Sequence, residues 1–156
     1  MPRKTTRRSR IELYVTSKML KKPGQGLYVW KRFNPVTASY DHTECGPVIA
    51  TRSDPLLQVQ GLVSALTTVE EGAAVTCVIS HPVVFRNAQN LAALEMNGFR
   101  RHGREIANVE NWHELARLVT ARSVGFKLAS KVGEDRRVMR DLLDQAPTAL
   151  AKWLKD

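Results

Sequence analysis

Tyr14-Val-Thr-Ser-Lys-Met-Leu-Lys-Lys-Pro-Gly-Gln-Gly-Leu-Tyr28 reads as a strand, a loop and a second strand. Ile11-Glu-Leu-Tyr-Val15, which leads into it, alternates and is rich in β-formers, so a strand begins before Tyr14. Lys18 to Gln25 holds Pro23 and Gly24, with Gly26 just beyond; these residues supply the fixed or positive φ that a tight loop needs. Leu27-Tyr-Val-Trp-Lys-Arg-Phe33 is the returning strand, and Asn34-Pro35 breaks it. An antiparallel hairpin at the start of a sheet is the expectation.

Working outward, a weaker third strand falls within Val36–Thr51, interrupted by Asp41, Glu44 and Gly46. Ser53-Asp54-Pro55 is a helix start, a polar cap followed by a proline in the first turn. Leu56, Val59, Leu62, Val63 and Leu66 then recur at helical spacing, and Glu70-Glu-Gly72 ends that helix. Ala73-Ala-Val-Thr-Cys-Val-Ile79 is an apolar run of the kind buried in a central strand. Ser80-His-Pro82 starts another helix, running to about Met96 and stopped by Asn97-Gly98. Phe99 to Asn108 is basic and irregular. Trp112, Leu115, Leu118 and Val119 mark a helix, and Ser123-Val-Gly-Phe-Lys-Leu-Ala129 a short strand. After a loop at Val132–Asp135, the residues Val138, Met139, Leu142, Leu143 and Ala146 mark a last large helix that Pro147 stops. Three strands followed by βα units predict an α/β fold, with a five-stranded mixed sheet flanked by helices. The expected organisation is a disordered basic arm at 1–9, one domain at 10–147 and a short helical tail at 148–156.

A chain of 156 residues suits one core, and 43% hydrophobic with 25% charged residues is ordinary for a water-soluble domain. No apolar run approaches the roughly 20 residues of a membrane span. The basic N-terminus has no apolar stretch behind it, unlike a secretory signal. Cys45 and Cys77 lack metal-type spacing and read as reduced thiols of a cytoplasmic protein. With 24 Lys and Arg against 15 Asp and Glu, the formal charge is +9. That balance favours polyanionic partners, since each neutralised phosphate releases counterions. His42, His81, His102 and His113 are scattered without ligand spacing, and no phosphate-cradling glycine loop or nucleophile elbow occurs. Glu12, Glu70, Glu71, Glu134 and Asp135 read as exposed charges.

The Tyr…Pro-Gly-x-Gly hairpin resembles the opening of ribonuclease HI. The resemblance to the ribonuclease H-like superfamily extends from about Ile11 to Ala146. Leu57-Gln-Val-Gln-Gly-Leu-Val-Ser-Ala-Leu66 is similar to the family's first helix. Val75 to Ser80 is similar to the strand that ordinarily ends in Asp-Ser, and Asn108-Val-Glu-Asn-Trp112 resembles Asn-x-Asp-Leu-Trp. The family's chemistry uses two divalent ions about 4 Å apart, held by carboxylates. Carried over by position, the four ligands fall on Thr16, Gln58, Ser80 and Arg140, none of them a carboxylate. Asp141 is the alternative for the last, one residue on. The family's mobile histidine falls near Lys131. Its substrate contacts are changed too: Lys22, Asp54-Pro55 and Pro82 replace its amide residues.

The resemblance therefore implies a pseudoenzyme with no metal and no cofactor. The leading expectation is binding of nucleic acid, as RNA, RNA–DNA hybrid or an RNA-containing complex. The expected phosphate contacts are Arg3, Arg7, Arg8 and Arg10 in the arm, with Lys18, Lys21, Lys22, Arg100, Arg101 and Arg104. Thr16, Ser80 and Arg140 also have plainer readings: a strand residue, a cap on the helix at Pro82 and a solvated helix face. A protein-interaction scaffold using the altered cleft is the second expectation, and a diverged metal-dependent nuclease the third.

Overall fold

In the structure, a computed structural model that describes residues 10–20, 24–51 and 53–155 with side chains through 145, β1 (Ile11–Met19) and β2 (Gln25–Asn34) form the antiparallel hairpin. Their register sets Val15 opposite Trp30 and Thr16 opposite Val29. Gly24 takes φ 78°, and the Leu20 N–H donates to the Gln25 carbonyl at 2.9 Å to close the loop. β3 (Ser39–Cys45) continues the meander, and the two-residue β4 (Ile49–Ala50) pairs with the start of β2. β3 forms one edge of the sheet and is largely exposed, which is why its sequence lacks a hydrophobic pattern.

α1 (Asp54–Thr67) begins as the sequence predicts: the Ser53 hydroxyl accepts from the Leu56 N–H at 3.2 Å, and Pro55 lies in the first turn. The chain then adds β5 (Ala74–Ile79), α2 (Pro82–Gln89), α3 (Leu91–Met96), β6 (Arg100–Arg101), β7 (Arg104–Glu105), α4 (Val109–Thr120), β8 (Ser123–Leu128) and α5 (Gly133–Lys155). The main sheet runs β3-β2-β1-β5-β8, with β5 parallel to both β1 and β8. The mixed five-strand path is the predicted one, and β4 adds a short sixth strand beside β2.

Alternation sorts the strands between two layers. Leu13, Val15, Trp30, Val75, Cys77 and Ile79 face α1 to α4 in one core. Tyr14, Val29 and Val78 point the other way, onto Val138, Met139 and Leu142 of α5. A Cβ on Gly61 would stand 2.9 Å from Val15 Cγ1, so glycine there lets α1 lie close against the sheet. Trp112 is buried in the first core, and so is a packing residue.

Several local expectations are corrected. The helix after Ser80 is two helices that meet at Asn90, whose φ of −102° and ψ of 21° depart from the helical range while its Nδ2 donates to the Arg86 carbonyl at 2.9 Å. The basic stretch 99–108 contains a small hairpin, β6–β7, turned by His102 and Gly103 at φ 55° and 78°. α5 starts at Gly133 and runs on through Pro147 to Lys155, so the tail continues this helix. A proline within a helix removes one ladder bond without obliging the chain to leave the helix. Among the described residues no helix is long and apolar enough to cross a membrane.

Asp135 is not an exposed charge. It is buried, accepts the Ser130 N–H at 2.8 Å and pairs with Lys127 Nζ at 3.0 Å. A carboxylate in the first turn of α5 also suits the helix dipole. Asp135→Ala is expected to cost about 1–2 kcal/mol in a urea titration, because the part-buried Ser130 N–H loses its charged acceptor. Lys127→Ala, at the exposed end of the pair, should cost below about 1 kcal/mol. Equal small losses would show that the ion pair, and not the backbone contact, is the whole of the interaction.

Candidate functional site

β1 and β5 are parallel, with Val15 beside Ile79. One residue further, Thr16, within β1, meets Ser80 just past the carboxyl end of β5, the end of a sheet strand where open α/β sheets place their ligands. Their hydroxyl oxygens are 2.9 Å apart. Gln58, in the second turn of α1, reaches the same point. It donates from Nε2 to Ser80 Oγ at 2.8 Å and to Ser17 Oγ at 3.0 Å, and its Oε1 accepts the His81 N–H at 3.1 Å. The Ser17 hydroxyl in turn donates to Asp54 Oδ1 at 3.1 Å. Thr16 and Gln58 are only 4% and 3% exposed, so this is an interior polar network.

Three of the four positions singled out by the resemblance are therefore in one hydrogen-bonded cluster. Ser80 does not cap α2: His81 does, accepting the Val83 N–H on Nδ1 at 3.2 Å. Thr16 is likewise more than a strand residue. Arg140 is exposed on α5 and shares the wall of an adjoining cavity with Ser80, whereas Asp141 does not line that cavity.

The donor set does not fit a pair of divalent cations. Hard ions take anionic oxygens, and here the oxygens are neutral and engaged with one another. Asp54 is the one carboxylate joined to the network, at its edge. Among the described residues no group of three or more His, Cys, Asp or Glu is placed to hold a metal. Nor is a thiol activated: burial pushes Cys77 up to about 12 and also raises Cys45.

Arg100, Arg101 and Arg104 come together on the β6–β7 hairpin, all exposed. Arg101 donates to Asn87 Oδ1 at 2.9 Å and Arg100 to the Gly103 carbonyl at 2.8 Å, which holds the hairpin's shape while leaving further donors outward. Lys18 is half-buried near the end of β1. Arg10 is corrected. It stands at the opposite end of β1, about 20 Å from Thr16 by strand rise. Its guanidinium bonds Thr76 Oγ1 at 3.1 Å and the Val75 and Ser123 carbonyls at 2.8 and 3.0 Å. Those bonds tie three strands together, so its role is structural. Arg3, Arg7, Arg8, Lys21 and Lys22 lie outside the described residues.

Sequence reasoning did not place Ser17 and Asp54 in the network. Only the approach of α1 brings Gln58 to Ser17. It also missed Arg136, which joins Lys131 and Arg140 around the cavity. Its spacing of four residues from Arg140 was the available signal.

No protein-family model and no curated sequence matches the chain. Solved structures do. The RNase H domain of prototype foamy virus superposes with a TM-score of 0.72 at 10% identity, covering 91% of this chain and 94% of that domain. LC11-RNase H1, solved in complex with RNA/DNA hybrid, gives 0.65 at 14% identity, with 93% and 99% covered. The foamy viral protease-reverse transcriptase, solved with RNA/DNA hybrid, gives 0.73 at 11% identity. The match covers 96% of this chain, which spans only 22% of that longer polypeptide. With the strand order, the two helical layers and the position of the polar cluster, these likenesses identify the chain as having the ribonuclease H-like fold.

Proposed function

We propose that this chain binds nucleic acid without cutting it. The observation that carries the reading is the cluster of Thr16, Gln58 and Ser80. It fills the place of a carboxylate site with neutral groups that satisfy one another. The fold supports a nucleic-acid-related role, and neighbours sharing it were solved bound to RNA/DNA hybrid and to double-stranded DNA. The β6–β7 hairpin offers three exposed arginines to phosphates, with Lys18 as a further contact, on a chain of net charge +9. Such contacts position a backbone and carry no sequence preference.

Incubation with labelled RNA–DNA hybrid and double-stranded RNA, with magnesium or manganese, should leave both intact. Binding to the same substrates should weaken as salt rises, with a log–log slope of about −3 for three to four phosphate contacts. Turnover that disappears in Thr16→Ala or Ser80→Ala would show a working nuclease. Absence of binding even at low salt would favour a protein-interaction role for the altered cleft.

A further inference from the structure

An open cavity of about 410 Å³ lies between the end of β8, the loop after it, the start of α2 and one face of α5. Pro82, Leu128, Ala129, Met139 and Leu143 give it an apolar floor, and Lys131, Arg136 and Arg140 rim it. None of these three cations makes an ion pair with another described residue. Arg136 and Arg140 are one turn apart on the same face, where like charges repel. Arg136 also stands in the first turn of α5, where the helix dipole disfavours a cation. Glu134 and Asp135 share that turn and suit the dipole, so the repulsion among the rim's cations is the feature that a bound anion would relieve. Asp144 is the carboxylate on the wall, so three cations against one anion leave a local balance of +2.

We propose that the cavity binds a nucleotide through a terminal phosphate monoester. The phosphate would sit against Arg136, Arg140 and Lys131, and the sugar and base against Leu128, Met139 and Leu143. A monoester carries a charge of about −1.5 to −2 at neutral pH, which matches the rim better than the single charge of an internal diester. Guanidinium groups present forked donors to phosphate oxygens. The volume falls in the range of small-molecule sites, roughly 300–1,000 Å³. The inference rests on the nucleic-acid reading only in taking the 5′ end of a strand as the ligand's source.

Calorimetry on the full chain with adenosine 5′-monophosphate, adenosine and inorganic phosphate tests the cavity. The nucleotide should bind about tenfold or more tighter than either fragment, and Arg140→Glu or Arg136→Glu should weaken it about tenfold or more. Both side chains are exposed, so neither variant should unfold below the wild-type temperature. A short RNA with a 5′-phosphate should outcompete its 5′-hydroxyl counterpart for the cavity. If only the free nucleotide competes, the strand end is overturned as the source. Binding no tighter than phosphate alone, indifference to both substitutions, or occupation by a peptide's terminal carboxylate in place of the nucleotide would overturn the cavity assignment. Salt-sensitive binding of the 5′-hydroxyl RNA reads the hairpin. Its survival alongside a failed nucleotide titration would sink this inference and leave the proposed function standing.

Discussion

Charge reversal of Arg100, Arg101 and Arg104 together is expected to weaken RNA binding by about a hundredfold at low salt. The estimate takes about 1 kcal/mol for each lost phosphate contact. The log–log salt slope should become shallower by about 2 to 3, one counterion for each contact removed. The three side chains are exposed on a hairpin whose two strands are two residues each, so the main sheet does not depend on them. Arg101 needs a control, because Asn87 is buried and accepts its hydrogen bond. Arg101→Gln keeps a donor at that site and should lose affinity with little loss of stability. A mobility-shift titration across salt, beside a urea curve for each variant, separates the two effects. Unchanged affinity in the triple variant would move the nucleic-acid surface elsewhere.

Gln58→Leu should be the most destabilising single change at the site, by about 3 kcal/mol, because it strands the His81 N–H and removes one partner from each of two half-buried serine hydroxyls. For a chain of this size that is a fall of about 6–12 °C in Tm. A leucine variant as stable as the parent would mean that the network merely fills space. Gln58→Glu asks a different question. A carboxyl there would be buried near Asp54 with no described cation bonded to the network, so its folded pKa should lie above the unfolded value. The variant's stability should be fully present below the unfolded pKa and fall as pH rises through the folded one. Stability independent of pH would show that the site tolerates a buried carboxylate after all.

The elements were legible wherever their local signals were strong. Pro23-Gly24-x-Gly26 marks the loop, Ser53-Asp54-Pro55 the start of α1, and the apolar run to Ile79 the central strand. The break at Asn90 was not legible, because neither proline nor glycine marks it. β3 was blurred because an edge strand needs no buried face. At the site, the identities of Thr16, Gln58 and Ser80 could be read in advance, but their mutual satisfaction could not. Arg10 looked like part of a basic arm until its donors were found on backbone carbonyls of β5 and β8.

By itself the sequence determined the order of the main strands and large helices, the alternation that assigns side chains to each layer, and the neutral identities of Thr16, Gln58 and Ser80, because these depend on residue type and near-neighbour spacing. Only the tertiary structure decided which groups meet. Parallel pairing of β1 with β5 sets Thr16 beside Ser80, and the close seat of α1 at Gly61 brings Gln58 onto them. The packing of α5 on the other face turns Arg136 and Arg140 toward the cavity. Such meetings join residues tens of positions apart, and their geometry follows from packing that no local pattern encodes.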